Sequence, residues 1–478
     1  MRTFFSRLSH HAAVRPNHAA IATDTQILSY ADLLHQVESG RNFLLNCGIA
    51  SESTVGLSIA NEIEHLLATL SVMATGAGQI VLATHDTMTL RTHLAKRTNM
   101  THVLSTDAMF KIDHTEFIHW PNQKIVADAV PSMLPPESGA TIYLRTSGTT
   151  GDLNIVAIGN DQFAAQAEQH PYYADERGLR LASIEHNNSK RHRLYIVWVG
   201  GTNVFLPEEK TDIGKFSLRH GVNSIDISRI HASDLIRSDS AYMLAGVKLR
   251  AAGSEMPLEI RQLLQHKVTH NLYVRYGATE CGSISMALPG DHDADETSGR
   301  PKNGVELQIV DSSNCNMPPG HLGEIRLRAP GMATGYFDSP EDSAKRFQNG
   351  WFYPGDIGYF RTDGQLIVQG RKDDMIILNG INIFPAEIER VLDSHPAVNE
   401  SAALPLSSRI HGQIPVAAVE LKSGFAITAL ELQTFCRQHL ALRAPRRILI
   451  IDSLPRNSQH KILKRDLSKA FEIKKGNV

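Results

Sequence analysis

The chain has 478 residues, of which 42% are hydrophobic and 21% are charged, and its formal net charge is −2 with histidine neutral. This is the composition of a globular protein, and the length predicts two or more structural units. The near-neutral charge argues against nucleic acid or an anionic membrane as a partner. The four cysteines lack C-x-x-C spacing, which argues against a disulfide framework or a zinc site and favours a reducing compartment. His10 and His11 stand where a signal peptide would have its apolar core, so neither a signal peptide nor a membrane span is expected, and the expected location is cytoplasmic.

The first part of the chain alternates between predicted strands and helices. Strands are expected at residues 54–59, 79–82, 102–105 and 124–126. An amphipathic helix is expected to end at Gly48, and Asn61 is expected to cap a second helix that runs to Gly76. Strand, helix and strand at this spacing predict βαβ units and a mostly parallel sheet.

A loop rich in glycine and hydroxyl residues follows a predicted strand at residues 140–144. It reads Thr146-Ser147-Gly148-Thr149-Thr150-Gly151. Backbone N–H and side-chain O–H groups of such a loop can surround phosphate oxygens. The loop is not a Walker A motif, because no Gly-Lys-Ser/Thr follows, and taken alone it is also compatible with a surface turn.

The middle of the chain is predicted to extend the parallel sheet. A helix is expected around residues 163–169, a strand at 181–184, and a helix, turn and strand over 195–206. The run Lys190-Arg191-His192-Arg193 is interpreted as a solvated loop, with an anion or carrier-protein contact as the alternative. Strands at 247–251 and 272–275 are expected to lead into loops at Ala252-Gly253-Ser254 and Tyr276-Gly277, where open α/β sheets bind ligands.

From residue 299 the pattern predicts half-exposed antiparallel strands, with a hairpin turn at Asp363-Gly364. Helices at 386–392 and 430–440 and strands at 402–404 and 416–421 then predict an α+β module. The predicted fold is therefore α/β. A large domain, residues 1–370, has mostly parallel sheets with helices and a β-rich subdomain at about 299–370, and a small mobile α+β domain spans 371–478.

Several further motifs follow the hydroxyl-rich loop in order. They are Tyr276-Gly277-Ala278-Thr279-Glu280, Gly350-Trp351-Phe352-Tyr353-Pro354-Gly355-Asp356, Gly370-Arg371-Lys372-Asp373-Asp374, residues 379–389, and residues 454–463. Each motif is weak by itself, but the ordered series resembles the adenylate-forming superfamily over essentially the whole chain. That superfamily contains acyl- and aryl-CoA synthetases, peptide-synthetase adenylation domains and luciferases.

The resemblance implies ATP, Mg²⁺ and either CoA or phosphopantetheine as cofactors, and it assigns roles to individual residues. The phosphate contacts are Thr146, Ser147, Gly148, Thr149, Thr150, Gly151 and Thr279; the adenine contacts are Ala252, Gly253, Ser254, Tyr276 and Gly277. Glu280 matches the Mg²⁺ ligand, and Asp356 and Arg371 match the ribose contacts. Lys461 matches the mobile catalytic lysine, Asp373 the hinge and Gly380 the pantetheine passage, while His186 and Ala278 match the acyl pocket.

Four positions depart from the superfamily pattern. Asn154 replaces the lysine of the phosphate loop, Asp152 adds a negative charge there, Pro354 replaces a threonine, and His460 replaces a glycine. Arg145 or the run at 190–193 is a candidate replacement for the missing lysine. The polar stretch at 186–189 favours a polar or aryl acid.

The leading hypothesis is an ATP-dependent acid–thiol ligase. It would form an acyl-adenylate from a polar, aryl or short- to medium-chain acid, and then a thioester with CoA or a carrier-protein phosphopantetheine. The alternative is a degenerate relative that acts as a binding or scaffold partner of an acyl carrier protein. Asn154 and Asp152 support that alternative. The retained motif residues argue against it, and they are Glu280, Asp356, Arg371, Asp373 and Lys461. No feature favours a luciferase-like oxidase.

Overall fold

The computed structural model describes residues 3–108, 110–121, 140–146, 153–207, 209, 211–253, 255–292, 295–378, 381–408, 412–456 and 462–473. The α-helices are α1 (Phe4–Val14), α2 (Tyr30–Asn46), α3 (Glu62–Thr75), α4 (Met88–Arg97), α5 (Asn160–Glu168), α6 (Asn187–Val199), α7 (Ile213–Arg219), α8 (Arg229–Arg237), α9 (Leu258–Lys267), α10 (Pro340–Arg346), α11 (Pro385–Asp393), α12 (Ala429–Leu440) and α13 (Lys464–Ile473). Short 3₁₀ turns span Pro171–Asp175, Ala241–Leu244, Pro289–Asp291 and Ala441–Arg443.

The strands of the first three hundred residues are β1 (Ala19–Ala22), β2 (Ile27–Ser29), β3 (Thr54–Ser58), β4 (Gly78–Val81), β5 (His102–Ser105), β6 (Glu116–His119), β7 (Ile142–Thr146), β8 (Asn154–Ile158), β9 (Arg177–Arg180), β10 (Thr202–Val204), β11 (Ser224–Ile227), β12 (Lys248–Ala251), β13 (Leu272–Ala278), β14 (Gly282–Ala287) and β15 (Arg300–Pro301). The later strands are β16 (Glu306–Val310), β17 (Gly323–Arg328), β18 (Phe347–Gln348), β19 (Trp351–Phe352), β20 (Asp356–Phe360), β21 (Leu366–Arg371), β22 (Ile376–Leu378), β23 (Ile381–Ile383), β24 (Val398–Ser408), β25 (Gly412–Leu421) and β26 (Arg447–Ile451).

The chain divides into two compact units. The first contains residues 1–307 and 327–352, and the second contains residues 308–326 and 353–478. The predicted domain boundary at 370–373 and the predicted mobility of 371–478 remain predictions.

Two sheets organise the first unit. One has the order β15-β14-β13-β12-β11-β9-β10-β1-β2, with parallel pairing from β13 through to β1. The other has the order β6-β5-β3-β4-β7-β8 and is parallel except for β8. The prediction of mostly parallel sheets is therefore confirmed for both.

The helix after β3 illustrates how local sequence determines local structure. The Asn61 side chain accepts hydrogen bonds from the backbone N–H groups of Ile63 and Glu64, both at 3.1 Å. The helix ends at Gly76, whose φ of 86° is unfavourable for a residue with a Cβ. Both predicted ends of α3 are confirmed, and its buried face joins the apolar core formed with α1, α2 and α6.

Three predictions in the middle of the chain are wrong. The strand expected at 181–184 lies earlier, as β9, because Ser183 and His186 close a turn there: the His186 N–H donates to the Ser183 carbonyl at 3.0 Å. Tyr276 and Gly277 belong to β13 instead of a loop, because antiparallel β14 extends the pairing. The expected loop at 190–193 is buried helix within α6. The strand expected at 124–126 lies outside the described residues.

The second unit is built on antiparallel strands, as predicted. β20 and β21 form the expected hairpin around Asp363-Gly364, and β17 pairs with β20 through Gly323 and Glu324. A second sheet has the order β23-β22-β25-β24, with β26 parallel to β25. Its faces are covered by α11, α12 and α13, which pack Ile388, Leu432 and Leu467 into apolar clusters.

Candidate active site

The hydroxyl-rich loop connects two paired strands of the first unit. β7 and β8 are antiparallel, and Thr146 at the end of β7 lies opposite Asn154 at the start of β8. Thr146 is buried. The other predicted phosphate contacts of this loop, Ser147, Gly148, Thr149, Thr150 and Gly151, lie outside the described residues.

Arg145 and Asn154, on either side of this loop, each contact a carboxylate. Arg145 Nη1 lies 2.6 Å from Asp86 Oδ2, and the same carboxylate oxygen accepts the Ala83 N–H at 2.8 Å. Lys345 chiefly, with a contribution from the Asn154 amide, holds the pKa of Asp342 below its usual value. Arg145 is therefore already paired with Asp86. That it takes the place of the missing phosphate-loop lysine remains a prediction.

A tight turn after β13 carries the best-described part of the site. The Cys281 N–H donates to the Ala278 carbonyl at 3.3 Å, which places Thr279 and Glu280 at the tip between β13 and β14. A Cβ added to Gly277 would lie 2.3 Å from the Gly282 carbonyl oxygen, so glycine is required for this approach. The register shifts between Tyr276 and Gly277, as in a β-bulge.

Hydrogen bonds from other segments of the described chain hold this turn. The Tyr336 hydroxyl donates to Glu280 Oε1 at 2.9 Å, and the Ala333 N–H donates to the Glu280 carbonyl at 2.8 Å. Arg191 Nη1 donates to the Thr279 carbonyl, also at 2.8 Å. Glu280 is only 7% exposed, so its carboxylate is directed inward and oriented by a phenol.

Tyr336 is itself fixed in place. Its N–H donates to the Ser343 hydroxyl at 2.8 Å, and its ring meets Phe347 edge-on, with 5.5 Å between the ring centroids. Sequence reasoning missed Tyr336, because it lies 56 positions from Glu280 and outside every recognised motif. No local pattern marks such a partner.

A single carboxylate oriented by a hydroxyl group fits a magnesium ion. Mg²⁺ at phosphate-transfer sites commonly takes one or two protein carboxylates and completes its shell with water and phosphate oxygens. Hydrogen bonds that orient a ligating carboxylate support such binding. No cluster of three or more histidine, cysteine, aspartate or glutamate side chains suited to a metal occurs among the described residues.

The end of β12 lies beside Tyr276. Ala251 pairs with Val274, so Ala252 and Gly253 continue next to the last residues of β13. Gly253 has a φ of 93°, in the left-handed region, and beyond its two chain neighbours no heavy atom of the described residues lies within 4 Å of an added Cβ. The structure thus brings together the predicted adenine contacts Ala252, Gly253, Tyr276 and Gly277, while Ser254 lies outside the described residues.

The predicted acyl-pocket residues lie on two neighbouring elements. His186 is the half-buried residue that precedes α6, and its ring centroid is 6.3 Å from that of His85. The next residue, Asn187, donates its side-chain N–H to the Arg145 carbonyl on β7. Ala278 is half-buried at the end of β13. The structure therefore places the start of α6 beside the strand that leads into the hydroxyl-rich loop.

The four basic residues of α6 are all buried and reach different parts of the first unit. Lys190 Nζ donates to Gln79 Oε1 on β4 at 2.9 Å, and Arg193 Nη2 lies 2.9 Å from Glu62 Oε2 at the start of α3. The His192 ring is hydrogen-bonded to the Tyr173 hydroxyl at 2.8 Å, and Arg193 Nη1 donates to the Val204 carbonyl on β10 at 3.4 Å. Helix α6 therefore contacts strands of both parallel sheets.

Burial changes the protonation of this helix. Desolvation lowers the pKa of Lys190 to about 7 and that of His192 well below its usual value. Burial also lowers the pKa of Arg193 to about 10, with Glu62 acting in the opposite direction. Four consecutive basic residues can thus be buried when the interior supplies hydrogen-bond or ion-pair partners, or when burial lowers the pKa so that the side chain loses its proton.

The second unit contains the predicted ribose contacts, and it brings them together. Asp356 at the start of β20 pairs across the hairpin with Arg371 at the end of β21. Arg371 Nη1 lies 3.4 Å from Asp356 Oδ1, and Arg371 Nη2 lies 3.8 Å from Asp373 Oδ2. Asp356 is buried, with 8% of its surface exposed. Cross-strand register therefore joins two residues that are fifteen positions apart in sequence.

The predicted hinge lies in a turn between β21 and β22. The Lys372 N–H donates to the Gly355 carbonyl at 2.8 Å, and Lys372 Nζ lies 2.6 Å from Glu324 Oε2. Asp373 follows this anchored residue. Two other predicted residues of the second unit, Gly380 and Lys461, lie outside the described residues.

Two protein-family models match the chain. One, described as AMP-binding enzyme, covers residues 8–337, and another, the AMP-binding enzyme C-terminal domain, covers residues 387–461. Since the first covers more than half of the chain, the chain belongs to the AMP-binding enzyme family. The predicted adenylate-forming resemblance is confirmed.

Relatives and solved structures agree with this assignment. The 2-succinylbenzoate–CoA ligase of Geobacillus sp. is 38% identical over 199 residues, spanning 41% of this chain and 40% of that protein. The one of Bacillus cereus is 28% identical over 492 aligned residues, which span 99% of both.

The fold is likewise shared with solved structures. O-succinylbenzoate coenzyme A synthetase from Bacillus subtilis, in complex with AMP, superposes with a TM-score of 0.86 at 24% identity, covering 96% of this chain and 97% of that one. Amide bond synthetase from Marinactinospora thermotolerans has a TM-score of 0.85 at 22% identity, with 98% and 99% covered. Within the described residues, no helix is long and apolar enough to cross a membrane.

Proposed function

We propose that the chain is an ATP-dependent acid–CoA ligase, which converts a carboxylic acid and ATP to an acyl-adenylate and pyrophosphate and then transfers the acyl group to CoA. The observation that carries this proposal is the turn at 278–281. There Glu280 is a buried carboxylate that accepts a hydrogen bond from the Tyr336 hydroxyl, and this arrangement supports the role of Mg²⁺ ligand that the family resemblance implies for it.

The chain's residues have complementary tasks in the adenylation step. Thr146 and Thr279 contact the phosphates, and Asp356 with Arg371 takes the ribose hydroxyls. A cation bound at Glu280 would neutralise part of the negative charge of the triphosphate. Lys461 donates to the substrate carboxylate and the α-phosphate, where negative charge accumulates as the acyl–phosphate bond forms and pyrophosphate leaves.

The proposed acceptor is CoA, and the proposed acid is aryl or polar. The relatives matched over their full length are named 2-succinylbenzoate–CoA ligases, whose acid combines an aromatic ring with polar groups. The polar start of α6, with His186 and Asn187 beside β7, is compatible with such an acid. Between the two half-reactions, the small C-terminal domain would rotate about Asp373. Lys461 would serve adenylation, and the segment at Gly380 would take its place for thioester formation.

The experiment that tests this proposal is ATP–pyrophosphate exchange against a panel of aryl, dicarboxylic and short-chain acids. We expect acid-dependent exchange that falls about a hundredfold to a thousandfold in Glu280→Gln and in Lys461→Ala, since the first weakens binding of the cation that neutralises the phosphates and the second removes a positive charge from the reacting groups. Thioester formation with CoA should then follow with the acid that supports exchange.

Matched controls separate chemistry from folding. Glu52→Gln and Lys469→Ala change an exposed carboxylate and an exposed amine, and both should keep wild-type exchange. Absence of exchange with every acid, together with absence of ATP binding by calorimetry, would contradict the proposal and favour the scaffold alternative.

A further inference from the structure

A short segment of the first unit contacts two parts of the candidate site that lie far apart in sequence. Residues 336–342 form this bridging segment. Its first residue, Tyr336, donates to Glu280 Oε1 at 2.9 Å, and its second, Phe337, donates its N–H to the Ile155 carbonyl at 2.7 Å. The bridging segment therefore contacts both the turn after β13 and strand β8, which follows the hydroxyl-rich loop.

Arg97, the last residue of α4, joins the bridging segment to the end of that loop. Its Nε donates to Asp338 Oδ2 at 2.5 Å and its Nη2 pairs with Asp338 Oδ1, so that one carboxylate accepts from two nitrogens of the guanidinium. Its Nη1 donates to the carbonyl of Leu153, two residues after Gly151. Each nitrogen of the guanidinium thus has an acceptor in the protein, so Arg97 acts through the protein and not as a phosphate contact.

The pairing of Arg97 with Asp338 is partly shielded from water. The Arg97 side chain is 14% exposed and the Asp338 side chain 28%, whereas fully exposed ion pairs contribute little. Hydrogen bonding to Arg97 holds the pKa of Asp338 below its usual value. Because the guanidinium is planar and binds the carboxylate in a two-pronged fork, it fixes orientation as well as distance. Arg97 therefore sets the position of Leu153 relative to the bridging segment.

Two further contacts hold the strands on either side of the loop against the same segment. The Phe337 ring meets the ring of Tyr143 on β7 nearly edge-on, with 4.9 Å between the ring centroids. Lys345 chiefly, and then a hydrogen bond from Asn154 on β8, lower the pKa of Asp342 at the end of the bridging segment. The strands that lead into and out of the hydroxyl-rich loop are therefore both held by the segment that orients Glu280.

We propose that Arg97 is a positioning residue for nucleotide binding, because its contacts with Asp338 and Leu153 fix the end of the hydroxyl-rich loop relative to Glu280. A triphosphate must meet the donors of the loop and the cation at Glu280 at the same time, so their relative position has to be set before the nucleotide binds. This inference rests on the proposed ligase function and adds a residue that lies outside every recognised motif.

The first measurement is the KM for ATP in acid-dependent ATP–pyrophosphate exchange, at saturating acid and Mg²⁺. Arg97→Gln should raise this KM about tenfold to a hundredfold, the effect of losing one charge-assisted hydrogen-bonded contact, and leave the KM for the acid nearly unchanged. Calorimetric titration with ATP and Mg²⁺ should show the same increase in Kd. Arg97→Lys should cause a smaller increase, because lysine keeps the charge and loses the planar fork.

The second measurement is a double-mutant cycle with Asp338→Asn. If Arg97 and Asp338 act as one unit, the double variant should raise the KM for ATP no more than the larger single change does.

Arg177→Gln is the matched control. Arg177 is also a half-buried arginine of the first unit, and its Nε donates to the His220 carbonyl at 2.9 Å. It begins β9, which is parallel to β11 and β12, so it lies at the edge of the sheet opposite to the loop that follows β12. This variant should keep the wild-type KM for ATP.

The outcomes separate this inference from the proposed function. An unchanged KM and Kd for ATP in folded Arg97→Gln would mean that Arg97 only supports the fold, and would overturn the inference. So would a double variant whose KM rises by the product of the two single effects. If Arg97→Gln does not fold, an unchanged Kd for ATP in Asp338→Asn overturns it. If the wild type binds ATP but shows no exchange with any acid, the ligase function fails, and the calorimetric comparison still decides the role of Arg97.

Discussion

At the scale of single residues, the candidate site depends on partners that orient its charged groups. Glu280 is buried and could not be left as an unpaired carboxylate without cost; the Tyr336 hydroxyl and the backbone contact at Ala333 stabilise it in one orientation. Mutation of such outer partners typically lowers metal affinity or activity about tenfold to a hundredfold. Tyr336 is therefore a positioning residue for the proposed cation.

Tyr336→Phe tests that role. Loss of the hydroxyl leaves Glu280 less well oriented, and we expect the Mg²⁺ concentration needed for half-maximal exchange to rise about tenfold to a hundredfold, with KM for the acid nearly unchanged. Tyr242→Phe, at an exposed tyrosine, is the control. An unchanged Mg²⁺ requirement in Tyr336→Phe would show that Glu280 is held adequately by the backbone alone.

At the scale of elements, helix α6 is the unusual one. Ten of its residues are buried, from Ser189 through Trp198, including four consecutive basic residues. These basic residues can be buried because Gln79, Glu62 and Tyr173 form hydrogen bonds with them. In addition, burial lowers the pKa of Lys190 to about 7, so that its amine is more easily deprotonated. Stability should therefore depend on pH through this helix.

The sign of that dependence follows from the lowered pKa of Lys190. Below about pH 7 the amine is charged in both states and the full penalty of burial applies; between about 7 and 10.5 the unfolded chain binds a proton that the folded protein lacks. The free energy of unfolding should therefore rise with pH over this range, by up to about 1.4 kcal/mol per pH unit from one such group.

Urea unfolding of Lys190→Met at pH 7, 8 and 9 tests this prediction. The slope of unfolding free energy against pH should fall by about one proton relative to wild type, and a residual slope should remain because burial also lowers the pKa of Lys302 to about 7. Lys267→Met, at an exposed lysine, should keep the wild-type slope. A slope unaffected by Lys190→Met would mean that Lys190 stays charged in the folded protein.

At the scale of the whole molecule, the proposed two-step reaction depends on rotation at Asp373. The preceding residue, Lys372, is held by Gly355 and Glu324. The backbone rotation is therefore expected at Asp373, just after this held residue. Proline fixes φ near −65° and would prevent that change. We therefore expect Asp373→Pro to separate the two half-reactions.

The measurement compares ATP–pyrophosphate exchange with CoA-dependent thioester formation in the same preparation. In Asp373→Pro the ratio of the two rates should change by more than about tenfold, because one orientation is lost while the other is kept. Asp373→Ala removes the same carboxylate, including its contact with Arg371, but keeps backbone freedom. If both variants change the ratio of the two rates equally, the effect comes from loss of the Asp373 carboxylate, and the proposed hinge rotation is contradicted.

Much of the fold was predictable because it is encoded locally. Asn61 and Gly76 bound α3, Asp363-Gly364 closes a hairpin, and Pro385 opens α11, since capping, turn and ring constraints act over only a few residues. The errors occurred where tertiary pairing overrides local pattern. Pairing with β14 extends β13 through Tyr276, where a loop was expected. The basic run at 190–193, expected to be a solvated loop, lies in the buried helix α6.

The sequence by itself determined the family, the order of the motifs and most of the helices and strands, because these depend on neighbouring residues and on collinear order. Only the tertiary structure decided that Tyr336 orients Glu280, that Asp356 lies across a hairpin from Arg371, and that Arg97 joins Leu153 to Asp338. The physical reason is that contacts between distant segments depend on register and burial, which the order of residues does not display.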